Sequence, residues 1–466
     1  MRRVLLYGFG YSATAVAAAA DAVREAGDEP VAWMLHNNRV AAFGPPLVER
    51  GIPVVPEIPA AGEVERLGLD AARPELDGQA AEDLRYLADR EGRFPHEWAR
   101  TLFLDRVDAH VHRALVDADP DLVVFSDVPH SVASYLLYRW ARTLGLPTAL
   151  LRYGPTPYHV SYVDRIDAEL AGFVGAAATG GPAGEASTRH LAKLTGTYDE
   201  AMPSYIRERT GRVAQLRRAA RRVGALDPGR TLRSARGTAE RNRLRRRYEQ
   251  RAVPAAELAQ LDGPVVAVFL HLQPERTTVP EGGAFAQQWR MVQAIERQVP
   301  DGWTVLVREH PSTFRIGARL VRDTDFYDAL DALPKVALVP LGVTPFALVD
   351  RADWVATVTG TVGFEAVARG GRALLFGNAA ASGCPGTVRA DRVGVDRSLF
   401  AAPAPTGDLD AVTGFLASLD SSPRCWVAPW EPTGDIRGMR ASGAPYPPLL
   451  RALLADPAIV GGGSST

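Results

Sequence analysis

Three short runs in the second half of this 466-residue chain combine residue types that can hold a phosphorylated ligand. The first is His271-Leu-Gln-Pro-Glu-Arg-Thr-Thr278, directly after the apolar run Val265–Leu270. Pro274 stops that run as a strand, because proline cannot donate to a central ladder. Gln273 can donate and accept, which suits a base edge or a sugar hydroxyl, and Thr277 and Thr278 offer hydroxyls to a phosphate. A polar loop without a ligand accounts for the same residues equally well. The second run is Val307-Arg-Glu-His-Pro311, in which Pro311 biases His310 towards an extended backbone. An imidazole there can hydrogen-bond a phosphate and stabilise the charge of a departing nucleotide, a job otherwise done by a metal. Arg308 or Arg315 can reinforce it, although a histidine standing alone is more often structural. The third run, Val358-Thr-Gly-Thr-Val-Gly-Phe-Glu365, reads as a strand, a glycine-containing turn and a helix. Gly360 and Gly363 permit close backbone approach to a ligand, Thr359 and Thr361 add hydroxyls, and the free amides of a helix start favour an anion. Glu365 either complements the helix dipole or accepts hydrogen bonds from ribose. The run is neither a Walker loop nor a G-x-G-x-x-G fingerprint.

A fourth group lies in the first half. Asp119-Pro-Asp-Leu-Val-Val-Phe125 leads into Ser126-Asp-Val-Pro-His130, after which Tyr135, Leu136 and Trp140 recur at helical spacing. Asp127 and His130 thus fall at the carboxyl end of a strand, where ligands of open α/β sheets sit. Asp127 equally suits a cap for the following helix.

The elements that must position these residues follow from the patterning. Val31–Leu35, Leu122–Phe125 and Thr148–Leu151 alternate with amphipathic segments, and Val265–Leu270, Thr304–Val307, Val336–Val339 and Trp354–Val358 repeat the pattern. This predicts an α/β fold with two Rossmann-like domains facing a cleft, in which all three runs of the second half reach one rim. The length agrees with two or three units at roughly 150 residues each. The expected division is an N-terminal Rossmann-like domain over 1–200, an arginine-rich helical connector over 201–260, a C-terminal Rossmann-like domain over 261–440, and a C-terminal helix with a disordered tail over 441–466. The chain is 46% hydrophobic and 23% charged with a net charge of −1, so no overall field draws it to a polyanion. In the connector, Arg217-Arg218, Arg221-Arg222 and Arg245-Arg-Arg247 form either a solvated helix face or a basic collar for an anionic membrane or glycan. Nucleic acid is not expected, because no aromatic residues interleave with those arginines. Two cysteines, Cys384 and Cys425, are too few for a disulfide framework or a cysteine metal site, and a reducing cytoplasm is the expected compartment. Met1-Arg-Arg and the apolar run to Ala20 superficially look like a signal peptide, but Gly8 and Gly10 interrupt them, and strand, tight loop and helix fit better. No other stretch approaches the ~20 apolar residues of a spanning helix.

In combination and order, His271-x-Gln-Pro-Glu-x-Thr-Thr278, Arg308-Glu-His-Pro311 and Thr359-Gly-Thr-x-Gly-x-Glu-Ala366 resemble the capsule polysaccharide biosynthesis proteins, which include the bacterial β-Kdo transferases with their Gln-Pro and His-Pro motifs. The resemblance covers mainly residues 264–390, and Asp127–His130 looks like the Pro-His element of that family's N-terminal half. It implies a GT-B glycosyltransferase, working without a metal or other cofactor, that passes a sugar from a nucleotide-activated donor to a surface glycan or glycolipid. The donor is often a CMP-linked ulosonic acid, and such enzymes sit in the cytoplasm or at the inner membrane face. By the resemblance, His310 contacts the donor phosphate, Gln273 and Glu365 hold the nucleoside, Thr359 to Gly363 complete the phosphate cradle, and His271, Pro274, Arg308 and Glu309 belong to the same donor site. The acceptor side falls to the first domain, with Asp127 and His130 as candidate bases or nucleophiles and Asp105 and Asp108 behind them. The His-Pro element also resembles CDP-glycerol glycerophosphotransferases, so polyol-phosphate transfer is a rival, as is a noncatalytic glycan-binding scaffold. Arg308 stands where lysine is common, and the arginine-rich connector has no counterpart in the family.

Overall fold

A computed structural model describes residues 1–59, 76–92, 94–170, 182–201, 228–258, 260–273, 278–314, 322–401, 408–430 and 436–461. Pro274, Thr277, Arg315 and Arg217 to Arg222 of the sequence reading lie outside these residues. Among the described residues, thirteen strands form two sheets. In chain order they are β1 Arg3–Tyr7, β2 Glu29–Leu35, β3 Val54–Pro56, β4 Leu122–Phe125, β5 Thr148–Tyr153, β6 His159–Val163, β7 Val265–Phe269, β8 Thr304–Arg308, β9 Val336–Leu338, β10 Trp354–Thr357, β11 Ala373–Leu375, β12 Thr387–Arg389 and β13 Cys425–Val427.

The first sheet runs β13-β6-β5-β4-β1-β2-β3 and the second β12-β11-β10-β7-β8-β9. The second is parallel throughout; in the first, β6 and β13 add an antiparallel edge to five parallel strands. Parallel strands are covered by helices on both faces and therefore read as unbroken apolar runs. β4 (Leu-Val-Val-Phe) and β7 (Val-Val-Ala-Val-Phe) are buried at every position. Along β7, Val265 and Ala267 join one core while Val266 and Val268 join the other. Strand order reverses beside β1, between β4 and β2, and beside β7, between β10 and β8. These are the switch points at which an open α/β sheet leaves a crevice. The chain is therefore an α/β protein of two Rossmann-like sheets, the GT-B-like arrangement.

The carboxyl ends of the two sheets meet. Arg152 of β5, 3% exposed, pairs with Glu281 at 2.7 Å in the segment that follows β7, and it donates to Asn378 O beyond β11. Asn378 Nδ2 in turn donates to the carbonyls of Ile166 and Ala168, and Arg389 pairs with Glu169 at 3.0 Å.

Two departures from the expected division are informative. The chain returns to the first sheet at β13, which pairs with β6, ahead of the boundary placed at 440. The helix Tyr446–Ala455 then buries Tyr446, Leu449, Leu450 and Leu453 against the helix Ala13–Glu25. Gly443 makes this possible, since a Cβ there would lie 3.0 Å from Ala15 Cα. In the arginine-rich connector, the helix Pro228–Arg251 places Leu244 and Tyr248 in the core of the second sheet, and Tyr248 OH donates to Val339 O at 2.6 Å. Its end is an element of the second domain, with Arg243, Arg245 and Arg246 on the exposed face. Among the described residues no helix is long and apolar enough to cross a membrane.

Candidate functional site

The three predicted runs leave β7, β8 and β10, which lie side by side as β10-β7-β8, so their first residues share one rim at the second switch point. Their side chains divide sharply. His271, 7% exposed, turns inward: its Nε2 accepts from the Thr359 amide at 3.2 Å and lies 2.9 Å from Thr357 Oγ1. This ties the end of β7 to the turn after β10 and leaves the neutral ring's proton on Nδ1. Gln273 is also buried, and its Nε2 donates to Thr278 Oγ1 at 2.9 Å. The glycines of the third run serve close packing within the protein. A Cβ on Gly360 would lie 2.7 Å from Thr357 Oγ1 and 3.3 Å from His271 Cε1, and one on Gly363 would lie 2.7 Å from Leu375 Cδ2. The helix that follows, Val362–Ala368, has only seven residues, and Thr361 Oγ1 donates to Glu365 Oε1 at 2.9 Å within its first turn. Burial pushes the Glu365 carboxyl above its ordinary range.

Glu309 is the chief correction among the predicted donor contacts. Its carboxylate is fully buried and held from all sides, by Arg322 Nη1, by Tyr327 OH at 2.6 Å, by Thr313 Oγ1 at 3.1 Å and by the His310 amide at 2.6 Å. Arg322 Nη2 extends the network to His271 O at 2.9 Å and Gln288 Oε1 at 2.8 Å. Burial alone would lower the Arg322 pKa, yet the adjacent Glu309 raises it. Glu309 therefore anchors the loops after β7 and β8 and presents nothing to a ligand.

Arg308 and His310 carry what the rim can offer. Arg308 is 6% exposed, and its Nε and Nη2 both donate to Val343 O, at 3.3 and 3.2 Å. It makes no ion pair with any described residue, and burial lowers its pKa, an effect that the neighbouring Glu309 only partly offsets. A guanidinium so placed favours an anion strongly, because desolvation is repaid only by an opposite charge. His310 Nδ1 accepts from the Ser312 amide at 3.1 Å, so in the neutral ring the proton sits on Nε2, which is a donor. On the other side of β7, at the exit of β10, Thr359 and Gly360 are half-buried and Thr361 is exposed.

In the first domain the structure reassigns one residue and adds a cluster. Asp127 Oδ2 accepts from Arg440 Nη2 at 3.0 Å, and Oδ1 from the Val128 amide at 2.9 Å. It does not cap the next helix; Ser131 does, in a capping box with Ser134. Paired with a buried guanidinium, Asp127 is poorly placed to act as a base. Asp108 is likewise committed, accepting from Trp140 Nε1 at 2.7 Å, and Asp105 lies one turn earlier in the same helix, Glu97–Ala118. His130 Nδ1 lies 2.6 Å from Val128 O and so carries the proton, leaving Nε2 as the acceptor of the neutral ring.

The added cluster gathers around Glu57, just past β3. Its Oε1 accepts from Tyr7 OH and from Ser131 Oγ at 2.7 Å, and its Oε2 meets His36 Nδ1. The hint in the sequence was weak: a histidine directly after the run Val31–Leu35 and a glutamate directly after Val54-Val55-Pro56. Burial pushes Glu57 up to about 8, whereas burial together with Arg39 and Arg90 holds His36 down to about 4. The consequence for stability can be signed. A carboxyl whose folded value is raised keeps its proton beyond the unfolded value, so its contribution is lost as pH rises; the depressed histidine acts oppositely below its unfolded value. Between about 4.5 and 6.5 the two offset each other, one proton being held in either state. From about 6.5 to about 8 only the folded state keeps the proton, and stability should fall by at most about 1.4 kcal/mol per pH unit. Urea titrations at these two pH values should show that fall in the parent and a flat response in Glu57→Gln; a slope unchanged by the substitution would exclude Glu57 as its source.

Among the described residues no group of three or more His, Cys, Asp or Glu could hold a metal ion. No protein-family model matches the chain, and no curated protein does. Solved structures with some likeness include the β-Kdo 2,7-transferase of Thermosulfurimonas dismutans KpsC, at 12% identity and TM-score 0.30 over 66% of this chain and 79% of that one. The glycosyltransferase SnogD from Streptomyces nogalater aligns at 12% identity and TM-score 0.25 over 95% and 99%. A UDP co-structure of MnaA from S. aureus aligns at 12% identity and TM-score 0.23 over 95% and 94%. Likenesses this distant fix neither activity nor substrate, and the fold assignment rests on the topology of the two sheets.

Proposed function

We propose that this protein is a glycosyltransferase that holds a nucleotide-activated sugar at the carboxyl ends of β8 and β10 and an acceptor glycan on the first domain. The observation that carries this is the buried Arg308 guanidinium without an ionic partner among the described residues, next to a His310 ring whose Nε2–H is a donor, at the switch point of a Rossmann-like sheet. As the acceptor oxygen bonds to the anomeric carbon, the bond from that carbon to the phosphate oxygen breaks and its electron pair leaves with the nucleotide. Arg308 and His310 are the groups able to meet that charge, and their placement in advance of the reaction is what makes such stabilisation effective. Thr359 and Thr361 border the same space, while His271, Gln273 and Glu309 position its walls. The motif resemblance favours a CMP-linked ulosonic acid as donor and a capsule-like or other surface glycan as acceptor. Arg243, Arg245 and Arg246 would hold the enzyme near an anionic membrane face. Polyol-phosphate transfer from a CDP-linked donor is the rival.

CMP-, CDP-, UDP- and GDP-linked donors, screened for thermal stabilisation and released nucleotide, test this. A donor at ~100 times its dissociation constant should stabilise the protein by ~2.7 kcal/mol. Arg308→Gln and His310→Gln should each weaken that binding about 10- to 100-fold, the effect of losing a hydrogen bond to a charged group. If no nucleotide stabilises the parent, the proposal fails; release of CMP from a CDP-polyol would favour the rival.

A further inference from the structure

The first switch point holds an acid–base pair that the donor site does not use. His36 stands at the carboxyl end of β2 with its side chain 44% exposed, and Glu57 lies behind it with its side chain 8% exposed. Nδ1 meets Glu57 Oε2, and Nε2 has no partner among the described residues. Glu57 is itself fixed, since Tyr7 and Ser131 both donate to its other oxygen, and the Tyr7 ring lies edge-on to the imidazole at 6.0 Å between centroids and 75°. The helix Gly78–Glu91 links this pair to the donor side. Its Glu91 accepts from the Val132 amide at 2.7 Å, next to the Ser131 that holds Glu57, while its Glu82 pairs with Arg290 of the second domain at 3.5 Å. Its Tyr86 lies near enough to Arg322 to act on its charge.

We propose that His36 takes the proton from the acceptor hydroxyl and that Glu57 is its positioning partner. The proposal rests on the sugar-transfer function above. An imidazole serves as a base when its outer nitrogen is open and its inner nitrogen faces a group able to absorb positive charge, and His36 meets both conditions. His130 fails the second, because its Nδ1 faces the carbonyl of Val128, which cannot take up a proton. In the reactive form Glu57 is ionised and the pair's single proton is on Nδ1. Nε2 accepts the acceptor's proton as the acceptor oxygen bonds to the anomeric carbon and the phosphate departs with the bonding pair. The Nδ1 proton can then shift to Glu57 Oε2, so that the pair passes from a charge of −1 to neutral. Loss of one proton to water through the exposed ring restores it.

The groups facing the pair are Arg39 on the helix Asn37–Phe43, Arg90 and Glu91 on the helix Gly78–Glu91, Tyr7 on β1, Ser131, and His110, whose Nε2 lies 2.7 Å from Pro56 O. Burial of Glu57, raised further by Glu91 and opposed by Ser131 and Arg90, puts the loss of the pair's second proton at about 8. Below that, Nε2 bears a hydrogen and cannot act as a base, so turnover should climb through about pH 8.

The full chain, labelled with 15N in its histidine rings, tests the pairing directly, with the proton itself as the probe. The His36 ring should report the ionisation of Glu57 near pH 8, as its own proton passes from Nε2 to Nδ1, and in Glu57→Gln that transition should disappear. Turnover, read as nucleotide released from CMP-, CDP-, UDP- and GDP-linked sugars, should fall about 10²- to 10³-fold in His36→Gln. Nucleotide affinity should stay within about twofold of the parent, the inverse of the Arg308→Gln pattern. In Glu57→Gln the rising limb should move to lower pH with a reduced plateau; this isosteric variant carries the kinetic test if His36→Gln does not fold. Parent-like turnover in His36→Gln would overturn the proposal, as would His36 titrating alike with and without Glu57, or a limb that vanishes in His130→Gln instead. If the parent binds none of the nucleotides, the sugar-transfer function has failed and this proposal falls with it, whereas nucleotide binding with an indifferent His36 would refute the base alone.

Discussion

Arg322→Met should cost about 3–5 kcal/mol of stability in urea titrations, the penalty for leaving one member of a buried ion pair uncompensated. Arg322 holds both oxygens of Glu309, and its other nitrogen supports His271 O and Gln288 Oε1, so one side chain fastens the exits of β7 and β8. Removing it leaves the buried Glu309 carboxylate with the Tyr327 and Thr313 hydroxyls and the His310 amide. Three neutral donors do not replace a guanidinium, because a buried charge is repaid chiefly by an opposite charge. Nucleotide binding should be lost as well, since His310 and the turn Thr359–Gly360 are placed through this network. The double substitution Arg322→Met with Glu309→Met should recover a large part of the cost, because it removes the stranded charge. A single variant within about 0.5 kcal/mol of the parent would show that water compensates the carboxylate.

Arg440→Leu should have an effect of similar size, about 3–5 kcal/mol. Arg440 donates to Asp127 Oδ2 at 3.0 Å and to Tyr11 OH at 3.0 Å, and its guanidinium lies 3.9 Å from the centroid of the Tyr153 ring. It thereby locks the helix Ile436–Ser442 over the loop after β1, where Ser12 Oγ also donates to Ala441 O. Loss of the arginine strands Asp127 beside aromatic rings, and Asp127→Asn added to Arg440→Leu should return part of the stability. Asp127→Asn alone separates the two roles open to this residue. A paired structural carboxylate predicts a lower melting temperature with turnover retained, and a catalytic base predicts the reverse.

How much of this was legible in the sequence depends on the kind of pattern involved. β4 and β7 could be read because strands buried on both faces leave continuous apolar runs, and the rim could be read because a polar run after such a strand must emerge at its carboxyl end. β13, three residues long, has no periodicity to detect, so the return to the first sheet was invisible. Loops likewise have no period. Glu309 and His310 are adjacent, yet one is sealed into an ion-pair network and the other reaches the rim. The pairs that settled the remaining roles are distant, with Asp127 and Arg440 separated by 313 positions and Ser131 and Glu57 by 74.

The sequence by itself thus determined the fold class, the strands that matter and the rim to which His271, Arg308, His310 and Thr359 belong, because these follow from local hydrophobic patterning. The tertiary structure alone decided which of those side chains are buried supports and which can meet a ligand, and it alone brought His36 to Glu57. Burial and long-range pairing depend on what the rest of the chain packs against each residue, and no window of sequence contains that information.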